Sequence, residues 1–139
     1  MSKPFDILLI EDTAGDADYL EIQLKQVPIV NNIITVTTKK EGLELLRRNE
    51  NHFGLVISNY ITAEGKDYQK ELIEQSVQNG TPFIFLSGIN SAEYSSQAFR
   101  DGAIAFLEKP LDLGQFMGII KMLDTVGIQL VEIKPENFS

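Results

Sequence analysis

The feature that most constrains this chain is an alternation of short apolar runs with amphipathic segments, repeated five times. "FDILLI" (5–10), "NIITVT" (32–37), "GLVISN" (54–59), "PFIFLS" (82–87) and "AIAFLE" (103–108) are brief, apolar and rich in β-branched or aromatic residues, as strands are. Between and after them lie segments with helical spacing. These cover 16–27, closed by Pro28; 38–49, opened by a Thr38–Glu41 capping box; 66–80, stopped by Asn79 and Gly80; 90–102, opened by an Asn90–Glu93 box; and 112–127, capped by Asp112 and stopped by Gly127.

A (βα)5 pattern joins each strand to the next through a helix. That forces parallel pairing with right-handed crossovers. Near-continuous apolar strands fit a sheet covered by helices on both faces. Five units are too few for a closed eightfold barrel. The expected fold is therefore an α/β doubly wound five-stranded parallel sheet, strand order 2-1-3-4-5. The 139 residues make one domain of ordinary size, 1–127, and the segment 128–139 is expected to be a tail, an interface segment or the start of a linker.

Composition removes several function classes. The net charge is -8, against direct nucleic-acid binding and against anionic membranes. Lys39, Lys40, Arg47 and Arg48 form a small basic cluster, expected to be a solvated helix face. With no cysteine and the single His52 in a polar turn, disulfides, thiol catalysis and a histidine metal cluster are excluded. No apolar run reaches the roughly 18 residues that span a bilayer, and the first residues lack a signal-peptide core, so a cytoplasmic location without membrane insertion is expected. No G-x-G-x-x-G or G-x-x-x-x-G-K-[ST] is present, which argues against a nucleotide- or flavin-binding protein.

In such a sheet, ligands bind beyond the carboxyl ends of the strands, at the switch point between strands 1 and 3. Those ends carry Glu11 and Asp12, and Asn59; strand 4 adds Ser87 and strand 5 adds Lys109. Two adjacent acids suit a hard cation such as Mg²⁺, while a hydroxyl and a lysine suit a phosphoryl group. The missing piece is a nucleophile, which an aspartate at the central strand end would supply.

The sequence here resembles the response-regulator receiver domains of two-component phosphorelay signalling (CheY-like) over roughly residues 5 to 126. The resemblance rests on "ILLIED" with Asp16 following, "FLSG", and "DGAIAFLEKP". It implies that Glu11, Asp12, the Ile61 carbonyl and position 59 would hold Mg²⁺. It also implies that Ser87 and Lys109 would contact a phosphoryl group, that Phe106 would be a rotameric aromatic on the output face, and that Lys109–Pro110 is often a cis peptide. The family's phosphoacceptor aspartate maps onto Asn59, whose amide cannot form an acyl phosphate and offers the cation only a neutral ligand, so Mg²⁺ affinity should be weakened.

The following loop departs too: Thr62 and Ala63 stand where Met-Pro is usual, and Asp67 where Gly is usual. Drift in both places favours a natural degenerate receiver over an engineered Asp→Asn change. The expected function is a phosphorylation-independent protein-interaction module rather than an enzyme. Its partners would be a histidine kinase, a histidine phosphotransfer protein or an output domain, with a homodimer an open option. The expected surface is the last helix–strand–helix face near Arg100, Phe106, Lys109 and Lys121. The alternative is a conventional receiver, with Asn59 engineered or with another acid, Asp67, as acceptor.

Overall fold

The computed structural model describes residues 4–89 and 92–132, with side-chain surroundings through residue 124. Five strands, β1 (Phe5–Ile10), β2 (Val30–Val36), β3 (Phe53–Asn59), β4 (Phe83–Ser87) and β5 (Ala105–Glu108), alternate with five helices. The helices are α1 (Ala14–Leu24), α2 (Lys39–Arg48), α3 (Gln69–Gln78), α4 (Ala92–Asp101) and α5 (Leu113–Glu132). All strand pairs are parallel, in the order β2-β1-β3-β4-β5, as the alternation predicts.

The strands read as continuous apolar runs because successive side chains serve opposite cores. Ile7 and Leu9 of β1, Leu55 and Ile57 of β3, Ile84 and Leu86 of β4, and Ala105 and Leu107 of β5 join one cluster, with Leu20 and Leu24 of α1 and Phe116 and Ile120 of α5. The alternate residues, Leu8, Ile10, Val56, Phe83 and Phe85, join the other, with Leu43 and Leu46 of α2, Leu72 and Ile73 of α3 and Ala98 of α4. This period of two is the pleat of a sheet buried on both faces. Between α2 and the sheet the fit is close. A Cβ added at Gly42 would stand 2.5 Å from Cδ1 of Ile10.

Two of the expected caps have the geometry their sequences imply. The Thr38 hydroxyl accepts from the Glu41 N–H at 3.1 Å, and Asp112 Oδ1 accepts from the Gln115 N–H at 2.9 Å. Asn90 of the expected Asn90–Glu93 box lies outside the described residues. Three helix bounds differ from expectation. Helix α1 ends at Leu24, because Gln26 and Val27 close back on Gln23 and Leu24 in tight turns before Pro28. Helix α3 begins only at Gln69, because Tyr68 stands at φ 65°, a left-handed conformation that a helix cannot continue through. Helix α5 runs past Gly127 to Glu132, so that glycine is not a stop. An interior glycine costs a helix only about 1 kcal/mol, which its neighbours in a long helix offset. Residues 128–132 of the expected tail thus belong to α5, and 133–139 lie outside the described residues.

Candidate functional site

Four strand ends converge where the topology predicts. Ile10 of β1 pairs with Ser58 of β3, so Glu11 and Asp12 leave the sheet beside Asn59. Asn59 pairs with Leu86, which sets Ser87 next in line, and Ser87 pairs with Glu108, the residue before Lys109. Glu11, Asn59 and Ser87 are buried, Lys109 is half-buried and Asp12 is exposed.

The geometry turns on the Asn59 amide. Its Nδ2 donates to the Ile61 carbonyl at 2.8 Å, to Glu11 Oε2 at 3.2 Å and to Asp12 Oδ1 at 3.2 Å. Three acceptors surround the nitrogen, so the amide orientation is fixed by its network. The opposite flip would aim Oδ1 at three oxygens. The carboxylates have further donors. Lys109 Nζ donates to Glu11 Oε1 at 2.5 Å and to Asp16 Oδ2 at 2.9 Å, the Thr13 N–H donates to Glu11 Oε2 at 3.2 Å, and the Ala63 N–H donates to Asp12 Oδ2 at 3.0 Å.

Electrostatics follow these contacts. Burial alone would raise the Asp12 pKa, but hydrogen bonds from the Ala63 amide and the Asn59 side chain prevail and hold it below the usual carboxylate value. Burial likewise works to lower Lys109, yet the hydrogen bonds and charges of Glu11 and Asp16 leave it raised.

A receiver-type cation would draw on the Glu11, Asp12 and Ile61 oxygens. These have the right chemistry, being hard oxygen donors. They converge, however, on an amide nitrogen. As arranged, the residues do not fit the ion.

The other candidate residues sit as follows. The Ser87 hydroxyl accepts from the Ile89 N–H at 3.1 Å. Phe106 is half-buried, with its ring centroid 5.2 Å from that of Tyr60 and nearly perpendicular to it. The Lys109–Pro110 peptide is cis. Lys109 and Pro110 line a cavity of about 360 Å³ with Asp16, Tyr19, Leu20, Gly88 and Leu111. Asp67, the nominated substitute acceptor, lies on a different cavity, beside Arg47, Lys66 and Glu71.

One part of the basic cluster is corrected. Lys39 is not on a solvated face; its side chain is fully buried. Its Nζ donates to the Tyr60 carbonyl at 3.2 Å, the Gly65 carbonyl at 3.1 Å and Gln69 Oε1 at 2.9 Å. Glu64, from the same loop, accepts the Lys39 and Lys40 backbone N–H groups at 2.6 and 3.1 Å and so caps α2. Burial pushes the Lys39 ammonium down to about 8, against the opposing charges of Glu64 and Asp12. The 60–69 loop is thereby tied to α2 from within. The spacing held the signal: Lys39, Gly42, Leu43 and Leu46 share one helical face, and that face is buried.

No model of a known protein family matches the chain. Among curated proteins it is similar to the two-component response regulator ARR12 of Arabidopsis thaliana (28% identical over 113 residues, 81% of this chain and 18% of that protein). It is also similar to the response regulator protein PilR of Pseudomonas aeruginosa (26% over 113 residues, 81% and 24%). The chain thus spans about a quarter or less of the curated relatives it matches.

Among solved structures it resembles the receiver domain of the histidine kinase CKI1 of Arabidopsis thaliana (TM-score 0.74, 21% identity, 88% of this chain and 91% of that one). A response regulator receiver domain protein of Clostridium thermocellum is similar as well (TM-score 0.73, 21% identity, 91% and 99%). The chain has the fold of receiver domains, and its sequence is similar to those of response regulators.

Proposed function

We propose that this chain is a degenerate receiver in two-component signalling, acting as a protein-interaction module without phosphorylation at position 59. The observation that carries the reading is the Asn59 amide, standing at the acceptor position and donating to Glu11, Asp12 and Ile61. Phosphoryl transfer to a receiver needs an anionic carboxylate oxygen that attacks phosphorus and remains bonded to it. An amide oxygen lacks that charge. Here, too, the amide nitrogen is the atom facing the acids, so the group is engaged as a donor.

The Lys109 ammonium is paired with Glu11 and Asp16 and ties β5 to the acids after β1. On this reading the module is not an enzyme. It works in the cytoplasm, its receiver unit, expected over 1–127, runs on to Glu132 with α5, and it binds a histidine kinase, a histidine phosphotransfer protein or an output domain through the α4–β5–α5 face. Ser87 and Phe106 then serve that face as fixed structure.

The test is intact mass after incubation with Mg²⁺ and a small phosphodonor such as acetyl phosphate, beside an Asn59→Asp variant. The natural sequence should show no adduct, and a stable phosphoryl adduct on it would sink the reading. Gain of an adduct by Asn59→Asp alone would show that Ser87 and Lys109 still form a competent site.

A further inference from the structure

We infer that the Asn59 amide group takes the place of the divalent cation, leaving the crevice closed on itself and indifferent to Mg²⁺. The inference rests on the degenerate-receiver reading and adds how the remaining acids are kept in register. A Mg²⁺ ion would sit where Glu11 Oε2, Asp12 Oδ1 and the Ile61 carbonyl converge, and those are the three oxygens that accept from Nδ2. An ion and an amide nitrogen cannot share one point. Admitting the ion requires Asn59 to turn away or flip, which breaks three hydrogen bonds and returns one neutral oxygen ligand.

The acids are supplied with hydrogen-bond donors without the ion. Lys109 Nζ donates to Glu11 Oε1, the Thr13 N–H joins the amide at Glu11 Oε2, and the Ala63 N–H serves Asp12 Oδ2, the one oxygen that the amide and the ammonium leave open. Every carboxylate oxygen of Glu11 and Asp12 therefore has a donor without a metal. Mg²⁺ also sheds its water reluctantly, so a site already filled by donors gives it little reason to do so.

The discriminating variant is Asn59→Ala. If Asn59 were a cation ligand, removing it would weaken Mg²⁺ binding. If it is the cation's substitute, removing it frees three oxygens, and Mg²⁺ should bind about tenfold or more tighter than to the natural sequence. Calorimetric titration with MgCl₂ reads this, with Asn59→Asp as the arm that should bind tightest. The natural sequence should give no saturable heat, and its melting temperature should be the same in EDTA as in 10 mM Mg²⁺ (on the order of cytosolic or higher supply).

An NMR titration of the natural sequence keeps the test independent of whether either variant folds. The Asn59 side-chain NH₂ resonances should stay fixed while Mg²⁺ is added. Saturable movement of those resonances, or weaker binding by Asn59→Ala than by the natural sequence, would overturn the inference. Mg²⁺ binding without a phosphoryl adduct would overturn this inference alone, whereas an adduct on the natural sequence would overturn the functional reading beneath it.

Discussion

Two lysines, one at the crevice and one buried under the 60–69 loop, are held in opposite ways. Lys109, after β5, meets two carboxylates, Glu11 and Asp16. Lys39, at the start of α2, meets two backbone carbonyls and the Gln69 side-chain carbonyl, all neutral. Both lose water, but only Lys109 gains direct anionic partners. Its pKa is therefore raised, while that of Lys39 falls to about 8. The difference teaches that burial alone does not set the state of a lysine. The charge of the atoms it touches decides whether removing it exposes a stranded ion or merely unpaired dipoles.

The largest effect should follow from breaking the charged arrangement. Replacing Lys109 by Met leaves Glu11, only 1% exposed, without its cation. Breaking a buried pair from one side costs 3–5 kcal/mol in well-shielded sites. The Lys109 side chain is 17% exposed, so about 2–3 kcal/mol is expected after allowing for solvent screening. Urea unfolding measures it. Adding Glu11→Gln to Lys109→Met should recover part of the loss, since a neutral amide strands no charge. A double variant no better than the single would mean that Lys109 acts by packing.

Lys39→Met should cost less, about 1–2 kcal/mol, because the lost hydrogen bonds go to neutral acceptors and a costly buried charge leaves with them. The same variant exposes an opposite pH dependence. The Lys39 ammonium titrates near 8 when folded and near 10.5 when unfolded, so between these values the unfolded chain binds the extra proton. Stability attributable to Lys39 therefore rises with pH across that window, by roughly 3 kcal/mol at most. Lys109 behaves the other way. Its raised pKa means that its contribution is fully present below 10.5 and is lost as pH climbs through the folded value. The gap in stability between the natural sequence and Lys39→Met should widen from pH 7 to pH 10. A gap that narrows would show that the ammonium form, not the neutral amine, is favoured in the cage.

The two lysines also differ in how readable they were. Lys109 sits in "FLEKP" at a strand end, and the parallel topology carries any strand-end residue to the crevice, so its place beside Glu11 follows from strand order. The same logic reached Glu11, Asp12, Asn59 and Ser87, and the two-sided burial of the strands. Lys39 stands in "TTKKEG", where a charged pair reads as solvent-facing. Its helical spacing with Gly42, Leu43 and Leu46 marks the buried face, but its carbonyl partners come from the 60–69 loop, where Tyr68 adopts a left-handed φ of 65° that no local pattern announces. The orientation of the Asn59 amide is of the same kind. It is set by three acceptors from two segments, and residue identity at 59 alone does not choose between its oxygen and its nitrogen.

The smallest predicted effect isolates the one acid near Lys39. Glu64 touches the backbone N–H groups of Lys39 and Lys40 rather than the ammonium, yet its charge works to raise the Lys39 pKa. Glu64→Gln keeps one side-chain oxygen able to accept at the α2 N-terminus, but it replaces the other acceptor with a donor and removes the charge that favours the helix dipole, so a loss of about 1 kcal/mol is expected. It also removes the charge that partly offsets burial. The Lys39 titration, followed by NMR at its ε-carbon, should then move below its value of about 8 in the natural sequence. A titration that stays in place would mean that the carbonyl cage alone sets the lysine. An upward movement would mean that the loop had opened and let water reach the ammonium, making the Glu64 cap the element that holds the 60–69 loop against α2.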